Sequence, residues 1–182
     1  MSASRRSRIA TPFAVLASVV MLLSLVATPA YGISQLDSIG VGDAPAAITL
    51  RGDGAVAFVA NRDGASVSAI TLSTQAVTTI PVGFGPADLS MRPGTNELWV
   101  LNYATGSISI INAITFTETT SFLTAGAPQG IVFSPSGARA YVTFPLTDQV
   151  KVYDTATRTL VTTWSVGDVP QGIAPTRHAT DS

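Results

Sequence analysis

Residues 82–123 read VGFGPADLSMRPGTNELWVLNYATGSISIINAITFTETTSFL and divide into four short segments. ADLSM (87–91), ELWVLN (97–102), SISIIN (107–112) and TETTSFL (117–123) are rich in β-branched, aromatic and leucine side chains. The breaks between the first three, RPGTN and YATG, carry glycine, proline and small polar residues. β-branched and aromatic side chains suit a pleated, half-buried surface, whereas Gly, Pro and Asn suit backbone reversals. The stretch therefore predicts four strands in succession, joined by tight turns.

The same unit recurs on both sides. Pro45, Pro86, Pro128 and Pro170 stand 41, 42 and 42 residues apart, in the frames VGDAP, VGFGP, TAGAP and VGDVP. The third residue after each proline is Ile48, Leu89, Ile131 or Ile173. Further on, Phe58-Val59, Trp99-Val100 and Tyr141-Val142 align, as do Val67, Ile108 and Val150. Outside the N-terminal apolar run no window sustains a 3.6-residue period. Four strands per unit of about 42 residues is the pattern of a β-propeller blade. One such sheet cannot bury both faces alone, so blades stack on their neighbours around an axis.

The first 32 residues differ from the rest. Arg5, Arg6 and Arg8 precede an uncharged run, Phe13–Ala27, and Thr28-Pro29-Ala30 supplies small residues. A basic n-region, an apolar stretch of this length and a small-residue site predict a secretory signal (1–32) cleaved near Ala30. The run is shorter than the roughly 18–20 apolar residues of a spanning helix, so a membrane link is expected only through this segment if it stays uncleaved. Removing those three arginines leaves seven basic residues against eleven acidic ones, a net charge of −4. With one lysine and no basic stripe, no nucleic-acid partner is expected. An exported chain without cysteine holds its fold without disulfides.

PQGIVFSPSG (128–137), YVTF (141–144) and VKVYDTAT (150–157), with FVAN (58–61) and WVLN (99–102), resemble the YVTN-type bacterial β-propeller repeats of YncE-like and surface-layer-associated proteins. The likeness runs from about residue 34 to 174 and departs at Phe144, where that family has Asn, and in TAGAP. It implies that the strand after each proline lines a central channel. It also implies that the proline loops share one face with the loops after Asn61 and Asn102. That face would carry Asp43, Arg62, Asp63, Phe84, Tyr103 and Asp168, the candidate interaction residues.

Other residues take structural readings. Asn61 and Asn102 end their second strands, where Asn can bond its own backbone and tolerate a left-handed turn; Phe144-Pro145 is expected to make the same bend. RGDG (51–54) aligns with RPGT and SPSG and is predicted to be a hairpin turn. Phe58, Trp99 and Tyr141 share one repeat position and are expected to pack between blades. His178, the single histidine, cannot assemble a metal site without cysteines or further histidines, and its terminal position argues against a Ser-His-Asp triad. No catalytic residue, cofactor or metal is expected. Among the inner-strand positions (Ala46, Ala47, Ala87, Asp88, Gln129, Gly130, Gln171 and Gly172) only Asp88 ionises.

The fold expected is all-β: an incomplete propeller arc of about three four-stranded blades, near 45–83, 86–124 and 128–166. SQLDSIGVG (34–42) aligns with the outer strand QAVTTIPVG (75–83), and a further inner strand begins at Pro170. The partial propeller thus covers 33–174, and PTRHATDS (175–182) matches nothing in the repeat. Propellers have about four to eight blades, so the chain reads as a truncated propeller or as part of a ring that self-associates through open blade edges. The function expected is an exported, non-enzymatic binding or scaffold module, secreted, periplasmic or at a bacterial cell surface. Its partner would be a protein or cell-surface ligand. The alternative is a fragment of a propeller enzyme, lactonase-like or quinone-dependent dehydrogenase-like.

Overall fold

The structure is a computed structural model that describes residues 38–174. The signal segment, its cleavage site, residues 34–37 and the tail with His178 lie outside the described residues. Among the described residues there are twelve strands and no helix. Blade 1 comprises β1 (Pro45–Leu50), β2 (Val56–Asn61), β3 (Ser66–Thr71) and β4 (Ala76–Pro81). Blade 2 comprises β5 (Pro86–Met91), β6 (Glu97–Asn102), β7 (Ser107–Asn112) and β8 (Thr117–Leu123). Blade 3 comprises β9 (Gly130–Phe133), β10 (Arg139–Phe144), β11 (Gln149–Asp154) and β12 (Leu160–Ser165). Each blade is an antiparallel meander in simple sequence order.

β1 and β5 each open on proline, a residue tolerated at a strand's first position because no ladder donor is needed there. Each then shifts register across its second residue, between Pro45 and Ala47 and between Pro86 and Asp88. The inner strands β1, β5 and β9 lie side by side, while β4 and β8 meet at few points, so the sheets fan outward into an arc.

Two apolar layers join the blades. Phe58, Ala60, Val67, Ala69 and Ile80 of blade 1 meet Leu89, Leu98, Val100 and Ile111 of blade 2. Trp99, Leu101, Ile108 and Ile110 of blade 2 meet Ile131, Phe133, Ala140, Val142 and Tyr153 of blade 3. Trp99 is fully buried, with Phe122 and Phe133 edge-on at 5.6 and 5.5 Å. β2 is buried at every position because side chains from both faces find a layer to enter. β12, an outer edge, is exposed throughout.

Arginines fasten neighbouring blades. Arg51 of the RGDG turn pairs with Asp53 and donates to the Ala113 carbonyl of blade 2 at 3.1 Å. At the equivalent position Arg92 donates to the Gly137 carbonyl of blade 3 at 2.9 Å. RGDG is a hairpin turn, with Gly54 at φ 71° and its N–H donating to the Arg51 carbonyl.

The flanking segments differ from their expected form. Residues 38–44 and 166–174 carry no strand, because neither meets the partner strand whose ladder would define it. Their side chains nevertheless sit where the repeat alignment puts them. Ile39 and Val41, aligned with Ile80 and Val82, pack on Ala57, Val59 and Ile70 of blade 1. At the other end Thr143 donates to the Gln171 carbonyl at 3.1 Å. Tyr141 keeps the repeat register of Phe58 and Trp99 but meets no following blade among the described residues: it lies half-buried on the free face of blade 3, its ring 5.8 Å from Trp164.

Candidate functional site

The loops before each inner strand and between the two middle strands meet at one end of the sheets. In blade 1, Arg62 N–H donates to the Ala44 carbonyl at 2.9 Å and Asp63 N–H to that of Asp43 at 3.3 Å. In blade 2, Tyr103 donates to Gly85 at 2.9 Å and Ala104 to Phe84 at 3.2 Å. In blade 3 the middle loop is bonded instead to the segment after β12, where Val166 N–H donates to the Asp148 carbonyl and Val169 N–H to its carboxylate, both at 2.9 Å. In blades 1 and 2 each pair of loops is therefore one backbone-bonded ridge.

Between the ridges of blades 1 and 2 and the start of blade 3 lies a cleft of about 540 Å³. Arg62, Asp63, Gly85, Ala87, Tyr103, Ala104 and Gln129 line it. Of the six sequence candidates, Arg62, Asp63 and Tyr103 meet here. Asp43 and Phe84 border the cleft through their backbone bonds to those loops, and Phe84 is 72% exposed. Asp168 lies apart, in the segment after β12. Arg62 takes part in no ion pair among the described residues. The cleft thus offers a guanidinium, a carboxylate, a phenol and, from Gln129, an amide. Gln129 had a legible signal, since it directly follows Pro128 at the head of an inner strand.

Asp88, the ionisable residue of the inner strands, bridges blades. Its carboxylate accepts the Leu89 N–H at 2.8 Å and the Ile131 N–H of blade 3 at 2.9 Å. Burial raises its pKa above the usual carboxylate value. Among the described residues no three His, Cys, Asp or Glu side chains cluster as they would around a metal ion.

Asn61 and Asn102 are not left-handed caps. Both are fully buried and donate across their hairpins, Asn61 to Ser66 and Ser68 at 3.1 and 3.0 Å, Asn102 to Ser107 and Ser109 at 3.0 and 2.9 Å. The left-handed residue of each loop lies four positions on, at Ala65, Gly106 and Asp148. Blade 3 replaces the arrangement with Lys151, which sequence reading passed over. Its ammonium donates to the Thr124 and Ala125 carbonyls at 3.0 and 2.8 Å and stands 4.2 Å from the centre of the Phe144 ring. Burial lowers the Lys151 pKa and pushes that of the neighbouring Tyr153 up to about 12.

No protein-family model matches the chain, and no curated protein matches its sequence. Solved structures do match. The Kuenenia stuttgartiensis hydrazine synthase shares 27% identity at a TM-score of 0.67, over 78% of this chain and 41% of that one. The WD40 repeats of RRP9 match at 18% identity and a TM-score of 0.62, over 70% and 40%. A Bacteroides fragilis protein provisionally described as a 6-phosphogluconolactonase matches at 21% and 0.62, over 78% and 44%. The chain spans about two-fifths of the length of these proteins. Three fanned four-stranded sheets, repeated likeness to propeller chains and the absence of any helix among the described residues make this protein a β-propeller arc.

Proposed function

We propose that this chain is an exported, non-enzymatic binding module of the YVTN-type propeller kind. It works at the cell surface or in the extracytoplasmic space and engages a protein or surface ligand through the cleft around Arg62 and Tyr103. The cleft carries the reading: three blades converge on it, and it combines a cation outside any described ion pair, a half-buried aromatic ring and an amide. Tyr and Arg are the side chains that most often anchor protein interfaces. Backbone bonds within each ridge hold them on a fixed frame, which lowers the ordering cost of binding. Export is supported by the basic and apolar leader of residues 1–32.

The test is retention of the full chain on washed cell envelopes of the producing bacterium. Tyr103→Ala and Arg62→Ala are each expected to weaken saturable retention about tenfold, while Leu146→Ser, outside the cleft, leaves it unchanged. Equal retention of all four proteins would remove the cleft from the function.

The lactonase-like alternative is favoured by the Bacteroides fragilis likeness. Asp88 weighs against it as a general base within these blades, since backbone amides already occupy both carboxylate oxygens. Hydrolysis of a sugar-acid lactone that Asp88→Asn abolishes would reinstate the enzyme reading.

A further inference from the structure

We infer that the two open ends of the arc are the halves of one blade-to-blade interface, and that a second copy of this chain, docked head to tail, covers them. The internal interfaces show what such a junction contains. The face that blade 2 turns to blade 3 carries Trp99, Leu101, Ile108, Ile110 and Phe122. In repeat register the free face of blade 3 carries Tyr141, Thr143, Val150, Val152 and Trp164. The face that blade 2 turns to blade 1 carries Leu89, Leu98, Val100 and Ile111. Its counterparts on the free face of blade 1 are Ile48, Ala57, Val59 and Ile70. Neither set contains a charged side chain, so each free face suits the apolar side of a further blade.

Each end is also half covered, and by opposite halves. On blade 1, Ile39 and Val41 hold the outer-strand position against Ala57, Val59 and Ile70. The inner strand beside them stays open, with Ile48 67% and Leu50 53% exposed. On blade 3, residues 171–174 hold the inner-strand position: Gln171 accepts from Thr143, and Ile173, with Tyr141, lines a second cleft of about 250 Å³. The outer strand stays open there, with Trp164 49% exposed. The segment carrying Ile173, aligned with Ile131 and Leu89, is what Ile48 and Leu50 lack. The segment carrying Ile39, aligned with Ile80, is what Trp164 lacks. One copy cannot apply its C-terminal segment to its own blade 1 across the open arc, but a second copy supplies both pieces at both junctions.

Sedimentation velocity on the full chain across a dilution series is the test, and the expected species contains two copies. Ile48→Asp and Trp164→Asp, each at an exposed position, should keep the sheet circular dichroism and the melting transition while weakening association at least tenfold. Mixing the two variants should restore association, because one of the two junctions then pairs two unaltered faces. If either variant fails to fold, Leu50→Ser and Trp164→Ser replace them at the same faces. A species of one chain at every concentration would overturn the inference. So would a dimer indifferent to both substitutions, or one that mixing does not restore, since an interface using a single face twice behaves that way.

Discussion

In blade 2, Asn102 lies beneath Gly83 and donates to Ser107 and Ser109. In blade 3 the same positions hold Phe144, Ala125, Gln149 and Lys151. All four residues of the corner change together, and the connector changes with them. The residue before the proline is left-handed at Ala44, Gly85 and Val169, whereas in TAGAP the left-handed residue moves back to Ala125. That displacement lets the Thr124 and Ala125 carbonyls accept from Lys151. A small buried amide network and a buried ammonium on two carbonyls are therefore alternative ways of tying a hairpin to the loop before it. Blade 1 follows blade 2, with Gly42, Asn61, Ser66 and Ser68 in the same roles.

The comparison breaks most severely at Lys151. Lys151→Ala empties a site where two backbone carbonyls have their donor, and a stability loss of about 3 kcal/mol is expected in urea unfolding. Lys151→Met keeps most of the volume, so the difference between the two variants separates packing from hydrogen bonding. Next comes the glycine swap. A Cβ at Gly83 would stand 2.7 Å from the Asn102 side chain, so Gly83→Ala should cost about 1–3 kcal/mol. Ala125→Gly should be neutral or stabilise by up to about 1 kcal/mol, because it relieves a left-handed alanine. Equal effects at the two positions would mean that the corners do not differ as described.

A double-mutant cycle of Asn102→Ala with Ser109→Ala sharpens the network side. Each single change should cost about 1 kcal/mol, with a coupling of about 0.5–1 kcal/mol. The smallest effect lies at the seam between the two blades. The folded-state pKa of Asp88 is raised, so the folded chain holds that proton more tightly than the unfolded one. Its contribution is present at acid pH and is lost as pH rises from the ordinary carboxylate value of 3.8 through the raised one. Asp88→Asn should flatten the stability profile across that window, measured by urea unfolding at successive pH values. An unchanged slope would remove Asp88 as its source.

Much of this architecture is legible from spacing alone. The segments read from residues 87–123 coincide with β5 to β8 to within one residue, because alternation and turn residues are local properties. β9 is shorter than β1 and β5, starting at Gly130 rather than at its proline, as the altered TAGAP frame suggests. The candidate face is legible as a set of loops, and half of its named residues share a cleft. Asp168 does not, since sequence spacing places a loop at an end of a blade without saying which ridges converge. Lys151 was missed because a single lysine between two valines looks like any solvated strand residue until its neighbours are known.

The sequence by itself determined four strands per blade, strand order within each blade, the hairpin at RGDG and the blade-facing positions at Phe58 and Trp99. Each of these depends on residues close together in the chain or on a strict repeat. Tertiary structure decided what fills each junction: whether an aromatic meets a neighbouring blade, as Trp99 does, or an open face, as Tyr141 does. It also decided that Asn102 bonds serines rather than its own backbone, that Lys151 is held by carbonyls 26 and 27 residues earlier, and that Asp88 joins two blades. The Lys151 and Asp88 contacts join groups from different blades, so only the folded arc brings them into reach.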